Sequence, residues 1–177
     1  YTNPNKAVKE FFDINANEKL GFYLNSKLSA EMLLKNYANL FETFAIIRPF
    51  FMYGVGQNET MLIPRLISNI KNEKTVTLNG ENGIKINPIY VTDAANAVAK
   101  ILELHGEFII NIAGEDIVSL KELCTIIGNI VGKEPIFTIS DIAQNDLVAD
   151  ITIMKSLFKI KVNLTEGVKL IYGEKYE

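Results

Sequence analysis

The sequence predicts an α/β protein whose strands form a parallel sheet. Segments with helical periodicity alternate with short apolar segments along most of the 177 residues. Residues 44–48 are apolar on both faces, which is typical of an interior strand in a parallel sheet. Apolar residues make up 48% of the chain and charged residues 22%, so the composition is that of a globular domain with a sizeable core.

The first quarter of the chain contains one helix, one strand and one glycine turn. Residues 1–19 are polar and rich in Asn and Lys, which predicts a surface loop with at most one turn of helix. A helix carrying Tyr23 and Glu31 follows, then the strand at 44–48 and a tight turn at 53–57. No third glycine stands three residues after Gly56, so we interpret the turn as one that permits close backbone approach rather than as a phosphate cradle.

The alternation of helices and strands continues to the end of the chain. The predicted helices span residues 60–72, 93–104, 120–131, 152–158 and 165–172. The predicted strands and extended segments span residues 75–78, 87–91, 108–112 and 135–139. We expect Thr92 to cap the second of these helices, Ser119 and Glu122 to form a capping box, and Gly132 to end the helix that follows it. Residues 80–83 predict a hairpin-type turn.

Tyr23 and Lys27 form a candidate acid/base pair. They stand four residues apart, so on a helix they share one face. A free phenol, with a pKa near 10, is a poor base at neutral pH unless a neighbouring cation stabilises its anion. The ammonium group of Lys27 is such a cation, and it retains donors for a ribose hydroxyl of a bound nucleotide. The alternative is a chance pairing on an ordinary helix surface.

Two separated motifs resemble the extended short-chain dehydrogenase/reductases, specifically the NAD-dependent sugar epimerase/dehydratase family. They are YLNSKLSAE at residues 23–31 and RPFFMYGVGQ at residues 48–57. The family has Tyr-x-x-x-Lys on a helix and then Arg followed by Tyr-Gly-x-Gly-Gln. The resemblance implies that Tyr23 is the catalytic base or acid and that Lys27 activates it and binds the cofactor ribose. It also implies that Phe50 lies near the nicotinamide of NAD or NADP.

The resemblance implies a specific part of the family's fold. We expect the C-terminal half of a Rossmann-like parallel sheet plus a small α/β substrate-binding lobe. Residues 1–57 would carry the catalytic-helix part of the dinucleotide-binding domain, and residues 58–177 mostly the lobe, with some strands and helices returning to the sheet. Because G-x-G-x-x-G is absent from this sequence, the glycine-rich half and a third catalytic residue would lie upstream of Tyr1. The chain alone is therefore expected to be inactive.

The resemblance also implies a sugar substrate, with a nucleotide-linked sugar as the first expectation, and a homodimer. The expected substrate-binding residues are Phe51, Gln57, Met61, Leu62, Lys85 and Asn87. Two positions depart from the family: Phe51 stands where Asn is common, and Ile86 where many members have an Arg that pairs with the diphosphate. No Arg occurs after Arg65, which weakens the case for a nucleotide diphosphate, although Lys85 offers a point charge.

Three functional interpretations follow. The first is an epimerase or dehydratase, an isomerase or lyase that exchanges hydride with nicotinamide. The second is an oxidoreductase of the same family, a reductase that acts on a non-nucleotide substrate. The third is a regulatory module that binds the cofactor without performing chemistry.

Other residue types are expected to be structural. His105 is expected to end a helix at the negative end of its dipole, Asp93 to be a first-turn carboxylate, and Cys124 to be a small core residue. The sequence contains no Cys/His cluster with zinc spacing, so no metal site is expected.

Charge and hydropathy argue against two classes of partner. The net charge of −3 gives no electrostatic reason to expect nucleic acid or an anionic membrane as a partner. No apolar run approaches 18 residues. A single cysteine rules out an internal disulfide and fits a cytoplasmic protein.

Overall fold

A computed structural model describes residues 7–11, 21–142 and 144–176. The helices are α1 (Gly21–Lys35), α2 (Leu62–Lys71), α3 (Val91–Ile101), α4 (Leu120–Val131), α5 (Thr152–Leu157) and α6 (Leu164–Tyr176), and a 3-10 turn covers Ala38–Leu40. The strands are β1 (Thr43–Pro49), β2 (Met52–Tyr53), β3 (Val76–Asn79), β4 (Lys85–Ile86), β5 (Ile89–Tyr90), β6 (Gly106–Ile112), β7 (Val118–Ser119) and β8 (Phe137–Ser140). The α/β class predicted from the sequence is confirmed.

Most strand pairs are parallel, as the sequence predicts. β1 pairs with β6 in parallel over seven residues, from Thr43 opposite Gly106 to Pro49 opposite Ile112. β2 pairs with β5 and β3 with β8, also in parallel, whereas β4 and β7 are antiparallel. Within the described residues β1 pairs only with β6, and Ile46 is its one buried side chain.

The described residues form three apolar clusters, and two of them, here called cores, lie on the helices that flank these strands. The first joins α2, α4 and α6 and includes Leu66, Ile67, Leu123, Ile127 and Val168. The second joins α3 and α5 to β1 and β6 and includes Ala97, Ile101, Ile110 and Met154. The apolar positions recur every three or four residues along α2 and α4, which is why these helices bury one face each.

The segment at residues 7–11 buries two of its side chains, Val8 and Glu10, although the sequence predicts a surface loop there. The Val8 amide donates to the Val148 carbonyl (2.7 Å), and the Asp150 amide donates to the Val8 carbonyl (2.9 Å). Val8 and Glu10 are buried. The loop prediction is wrong for these residues because this backbone pairs with a segment 140 residues away in sequence. Tyr1 and the rest of residues 1–19 lie outside the described part.

Helix α1 contrasts with the others because none of its residues is buried. Its composition favours a helix, with Leu, Met, Ala, Lys and Glu at most positions. Its large apolar side chains are exposed, namely those of Phe22, Leu24, Met32, Leu33 and Leu34. The helix therefore presents an unusually apolar surface.

The capping predictions have different outcomes. The capping box of Ser119 and Glu122 is confirmed, and Gly132 ends α4 in the left-handed conformation. Thr92 does not cap α3, because the chain enters this helix directly from β5 and Tyr90 occupies the capping position.

Two predictions about local geometry are wrong. The turn at residues 80–83 is not a hairpin, because the flanking β3 and β4 pair with β8 and β7 rather than with each other. His105 does not end α3, because that helix stops at Ile101 and His105 is an exposed residue beyond it. Lys100 is the cation in its last turn.

Within residues 7–11, 21–142 and 144–176, no helix combines the length and the apolar character that crossing a membrane requires.

Candidate active site

The structure brings the side chains of Tyr23 and Lys27 together on α1. The ammonium nitrogen of Lys27 lies 5.5 Å from the centroid of the Tyr23 ring. At this distance the cation interacts favourably with the ring face. The Tyr23 side chain is 67% exposed, so the pair faces outward from the described part of the chain. A ligand can therefore approach the phenol and the ammonium group from the same side.

Ser26 does not join this pair. Its hydroxyl donates to the backbone carbonyl of Tyr23 at 2.7 Å, which is a contact within the helix.

An ion pair fastens α1 to the sheet. The Arg48 guanidinium donates through Nε and Nη2 to the two carboxylate oxygens of Glu31, at 2.9 and 2.6 Å. Arg48 lies on β1, and both side chains are largely buried, at 11% and 19% exposure. The bidentate geometry fixes both the position and the orientation of the two groups.

The aromatic residues at the end of β1 occupy a strained loop. The Phe50 amide donates to the Ile112 carbonyl at 2.8 Å, and its ring packs with Val8, Ala113 and Ala149. Phe51 has a φ of 45°, a left-handed value that is uncommon for a bulky residue. Its side chain is half-buried between two of the apolar clusters. The backbone at Phe51 therefore carries strain that the surrounding packing maintains.

The glycine turn after β2 is confirmed as a point of close backbone approach. The Gln57 amide donates to the Gly54 carbonyl at 3.3 Å and closes the turn. Gly56 has a φ of 78°, which most residues avoid. A side chain at Gly54 would overlap Val91 at the start of α3. The two glycines thus allow the loop to lie directly against α3.

Gln57 leaves one polar atom available. Its side-chain nitrogen donates to the Met52 carbonyl at 2.9 Å, which holds the amide across the loop. Its side-chain oxygen is buried and has no hydrogen-bond partner among the described residues. A buried acceptor without a donor is costly, so this oxygen is a natural partner for a ligand hydroxyl.

Both polar atoms of the Asn87 side chain form hydrogen bonds with the protein backbone. Its side-chain nitrogen donates to the Ala149 carbonyl, and its side-chain oxygen accepts from the Ala149 amide, both at 3.0 Å. The residue is 1% exposed. This side chain holds the segment at residues 148–150 in place as a neighbouring strand would.

The remaining expected substrate-binding residues lie in two other places. Met61 is the exposed residue immediately before α2, and Leu62 is the first residue of α2, half-buried against the first core. Lys85 is exposed on β4, where its amide donates to Asp146 Oδ1 at 2.9 Å. Hydrogen bonds from Ser119 lower the pKa of the Glu122 carboxyl, and the Lys85 charge also contributes. Lys85 stands opposite Ser119 in the antiparallel pair of β4 and β7, next to the start of α4.

The structure therefore unites only part of the predicted site. Phe50, Phe51 and Asn87 gather around residues 148–150. Tyr23 and Lys27 form a second group on α1, which the Arg48 ion pair connects to β1.

Three other titratable side chains, those of Cys124, Tyr53 and Asp93, have contacts that indicate a structural role. Burial raises the pKa of Cys124 to about 12, which confirms it as a core residue. Burial, followed by the charge of Asp116, raises the pKa of Tyr53 above its usual value, so this phenol stays protonated. Asp93 lies in the first turn of α3, as predicted, and its Oδ2 accepts from the amides of Lys161 and Val162 at 3.0 and 2.8 Å. The described residues hold no group of three or more potential metal ligands.

Two features of this region are not predicted by the sequence. The buried Glu10 follows no local pattern, since its partners are Asn111 and Arg48. The left-handed backbone of Phe51 has no sequence signal either, because a bulky aromatic residue rarely adopts this conformation.

The first comparison with known proteins identifies a family. The model of the NAD dependent epimerase/dehydratase family matches residues 8–113. UDP-glucuronate 4-epimerase of Thermodesulfobacterium geofontis is 26% identical over 164 residues, which are 89% of this chain and 51% of that protein. The chain thus spans about half the length of this curated relative.

Two further similarities concern a shorter region and a solved structure. GDP-6-deoxy-D-talose 4-dehydrogenase of Aggregatibacter actinomycetemcomitans is 28% identical over 81 residues, 45% of this chain and 27% of that protein. The crystal structure of UDP-glucuronic acid 4-epimerase from Bacillus cereus in complex with NAD matches with a TM-score of 0.81. That match has 26% identity and covers 98% of this chain and 55% of the other. The described fold is therefore that of about half of a larger Rossmann-type enzyme.

Proposed function

Because this chain belongs to the NAD-dependent epimerase/dehydratase family, we propose that the full-length protein is an NAD-dependent epimerase acting on a nucleotide-linked sugar. The observation that carries the proposal is the pairing of Tyr23 and Lys27 on one exposed helix face, inside the matched region. The names of the similar proteins support a UDP-linked hexose or hexuronate as the substrate.

The donor groups of α1 fit one end of the cofactor. Lys27 offers an ammonium group with three donors, and Tyr23 offers a phenol that both donates and accepts. Such a pair suits ribose hydroxyls next to a reacting carbon. We propose that Lys27 and Tyr23 hold the nicotinamide ribose and that Phe50 borders the ring. The glycine-rich pyrophosphate site is absent from this sequence, so the other end would be bound outside this chain.

Tyr23 is proposed to move the proton of the reaction. NAD, when bound, supplies the acceptor and donor of hydride. The Tyr23 oxygen accepts the proton of the sugar hydroxyl whose carbon is oxidised. It returns this proton after the intermediate ketone has rotated within the site. The Lys27 ammonium stabilises the phenolate during this exchange.

The sugar is proposed to bind between α1 and the loop after β1. Phe51 and the unpaired oxygen of Gln57 would contact it, the latter by accepting from a sugar hydroxyl. Met61, Leu62 and Lys85 would contact the more distant nucleotide. Asn87 would shape the site through residues 148–150 rather than bind the sugar, since its amide is already paired.

The division of the chain and its assembly are further parts of the proposal. Residues 1–57 would belong mainly to the dinucleotide-binding domain and residues 58–177 mainly to the substrate-binding lobe. The full-length protein is proposed to be a homodimer, which the exposed apolar side chains of α1 support. The chain alone is proposed to have no turnover.

A second candidate is a dehydrogenase or reductase of the same family. The partial match to a 4-dehydrogenase favours it. The lack of any Arg after Arg65 favours the form of this candidate that acts on a sugar without a nucleotide, since Arg is the usual bidentate partner of a diphosphate.

The amount of reduced cofactor formed per sugar converted distinguishes these candidates. We expect the full-length protein to interconvert UDP-glucuronate or UDP-glucose with its 4-epimer while the absorbance of reduced nicotinamide stays constant. Accumulation of one reduced cofactor per sugar would instead identify a dehydrogenase. Binding of NAD with no turnover of any sugar nucleotide would contradict the epimerase. Oxidation or reduction of sugars that carry no nucleotide would then identify the second candidate, and its absence would indicate the regulatory module.

A further inference from the structure

Arg48 is the centre of a buried polar network that begins on the helix of Tyr23. Its guanidinium holds both carboxylate oxygens of Glu31 and also donates through Nη1 to the Glu10 carbonyl at 2.9 Å. Tyr23, Lys27 and Glu31 are spaced by four residues, so they lie along one side of α1. The ion pair thus joins this side of the helix to β1.

The network continues across the sheet. Arg48 on β1 stands opposite Asn111 on β6 in the parallel register. The Asn111 amide donates to a carboxylate oxygen of Glu10 at 3.1 Å. The Asn111 side chain donates to the carbonyls of Val8, at 2.8 Å, and Asp150, at 3.2 Å. Glu10 and Asn111 are almost completely buried, so these contacts are shielded from water.

The far end of the network reaches the predicted substrate region. The backbone of Val8 pairs with Val148 and Asp150 on either side of Ala149. Ala149 in turn exchanges two hydrogen bonds with the Asn87 side chain. A continuous series of polar contacts therefore connects α1 with the segment that packs against Phe50.

We infer that Glu31 is a positioning residue. It acts through Arg48 to hold Tyr23 and Lys27 at a fixed distance and rotation relative to the ends of β1 and β6. This inference rests on the proposed function. Its physical basis is that the Arg48 and Glu31 side chains are only 11% and 19% exposed, whereas no whole residue of α1 is buried within the described chain. The bidentate ion pair of Glu31 and Arg48 therefore constrains the position of the helix relative to β1.

The test uses the full-length protein and three variants of α1. Glu31→Ala removes the ion pair but preserves the helix, because Ala has the highest helix propensity. Glu31→Asp restores the charge with a shorter reach. Lys35→Ala is the matched control, since it removes an exposed charge in the last turn of the same helix. Turnover is expressed per molecule of bound NAD, so that unfolded protein does not count.

A displaced catalytic group should lower kcat more than it changes binding. We expect Glu31→Ala to lower kcat by roughly ten- to a hundredfold while KM for the sugar nucleotide changes less than about threefold. Glu31→Asp should recover most of this loss, and Lys35→Ala should match the wild type. An unchanged kcat in Glu31→Ala would overturn the inference. A fall in kcat that Glu31→Asp does not reverse would also overturn it. So would a rise in KM as large as the fall in kcat.

Hydrogen exchange provides a readout that needs no turnover. Amides of α1 should exchange at least about tenfold faster in Glu31→Ala, whereas those of α4, which the network does not include, should not change. Unchanged exchange in α1 would overturn the inference. Failure of the proposed function is seen separately, as normal turnover in Tyr23→Phe.

Discussion

Phe51, an expected substrate-binding residue, has a strained backbone. Its left-handed backbone costs an L-residue on the order of 1–2 kcal/mol. The half-buried ring offsets that cost by packing between two apolar clusters. Asn at this position would accept the backbone with little strain. Phe51 therefore gains apolar contacts at the cost of a strained backbone.

Two substitutions separate these contributions. Phe51→Val keeps an apolar side chain but places a β-branched residue at a positive φ, whereas Phe51→Asn is polar but conformationally tolerant. We expect Phe51→Asn to be at least as stable as Phe51→Val in chemical denaturation. A Phe51→Val variant more stable by about 1 kcal/mol or more would show that backbone strain does not matter at this position.

The capping box of α4 illustrates stability at the scale of an element. The Glu122 amide donates to the Ser119 hydroxyl oxygen at 3.2 Å, and the Ser119 amide donates to the Glu122 carboxylate at 2.7 Å. We expect Ser119→Ala to lower the free energy of unfolding by about 1 kcal/mol, because an N-terminal amide of the helix loses its partner. Thermal unfolding beside Thr125→Ala, an exposed position on the same helix, provides the control. Equal stability of the two variants would contradict the role of the cap.

The same cap gives a pH dependence with a defined sign. Hydrogen bonds from Ser119 lower the pKa of Glu122 below its ordinary value of 4.5. The folded protein therefore binds this proton less readily than the unfolded chain does, and the stabilisation is present above about pH 4.5. It is lost as the pH falls through the lowered pKa of the folded state. We expect the stability difference between wild type and Glu122→Gln to shrink below pH 4.5, and a difference that grew with acid would contradict this assignment.

At the scale of the whole molecule, the sequence predicts what local patterns encode. Helix α1, strand β1, the turn at Gly54 and the capping box all follow from residues close together in the chain. The burial of Glu10 and the pairing of Val8 with residues 148–150 could not be predicted, because their partners lie about 100 to 140 residues away. The Tyr23 and Lys27 pair was predictable from spacing, but its attachment through Arg48 required the fold.

The incomplete surroundings of β1 lead to a prediction for the isolated chain. Within the described residues this strand has one paired edge, and the helix beside it exposes large apolar side chains. We expect the purified 177-residue chain to self-associate and to bind neither NAD nor NADP measurably. Light scattering and a cofactor titration test this expectation. A monomer that binds NAD at micromolar concentration would contradict it.

The proposed chemistry depends most on Tyr23. The decisive measurement is the epimerisation rate of full-length Tyr23→Phe, with Tyr37→Phe as control, since Tyr37 is also an exposed tyrosine just beyond α1. We expect Tyr23→Phe to keep its fold and its bound NAD but to lose at least about a hundredfold in kcat, because proton transfer is removed. Tyr37→Phe should retain wild-type turnover. Normal turnover in Tyr23→Phe would contradict the proposed chemistry.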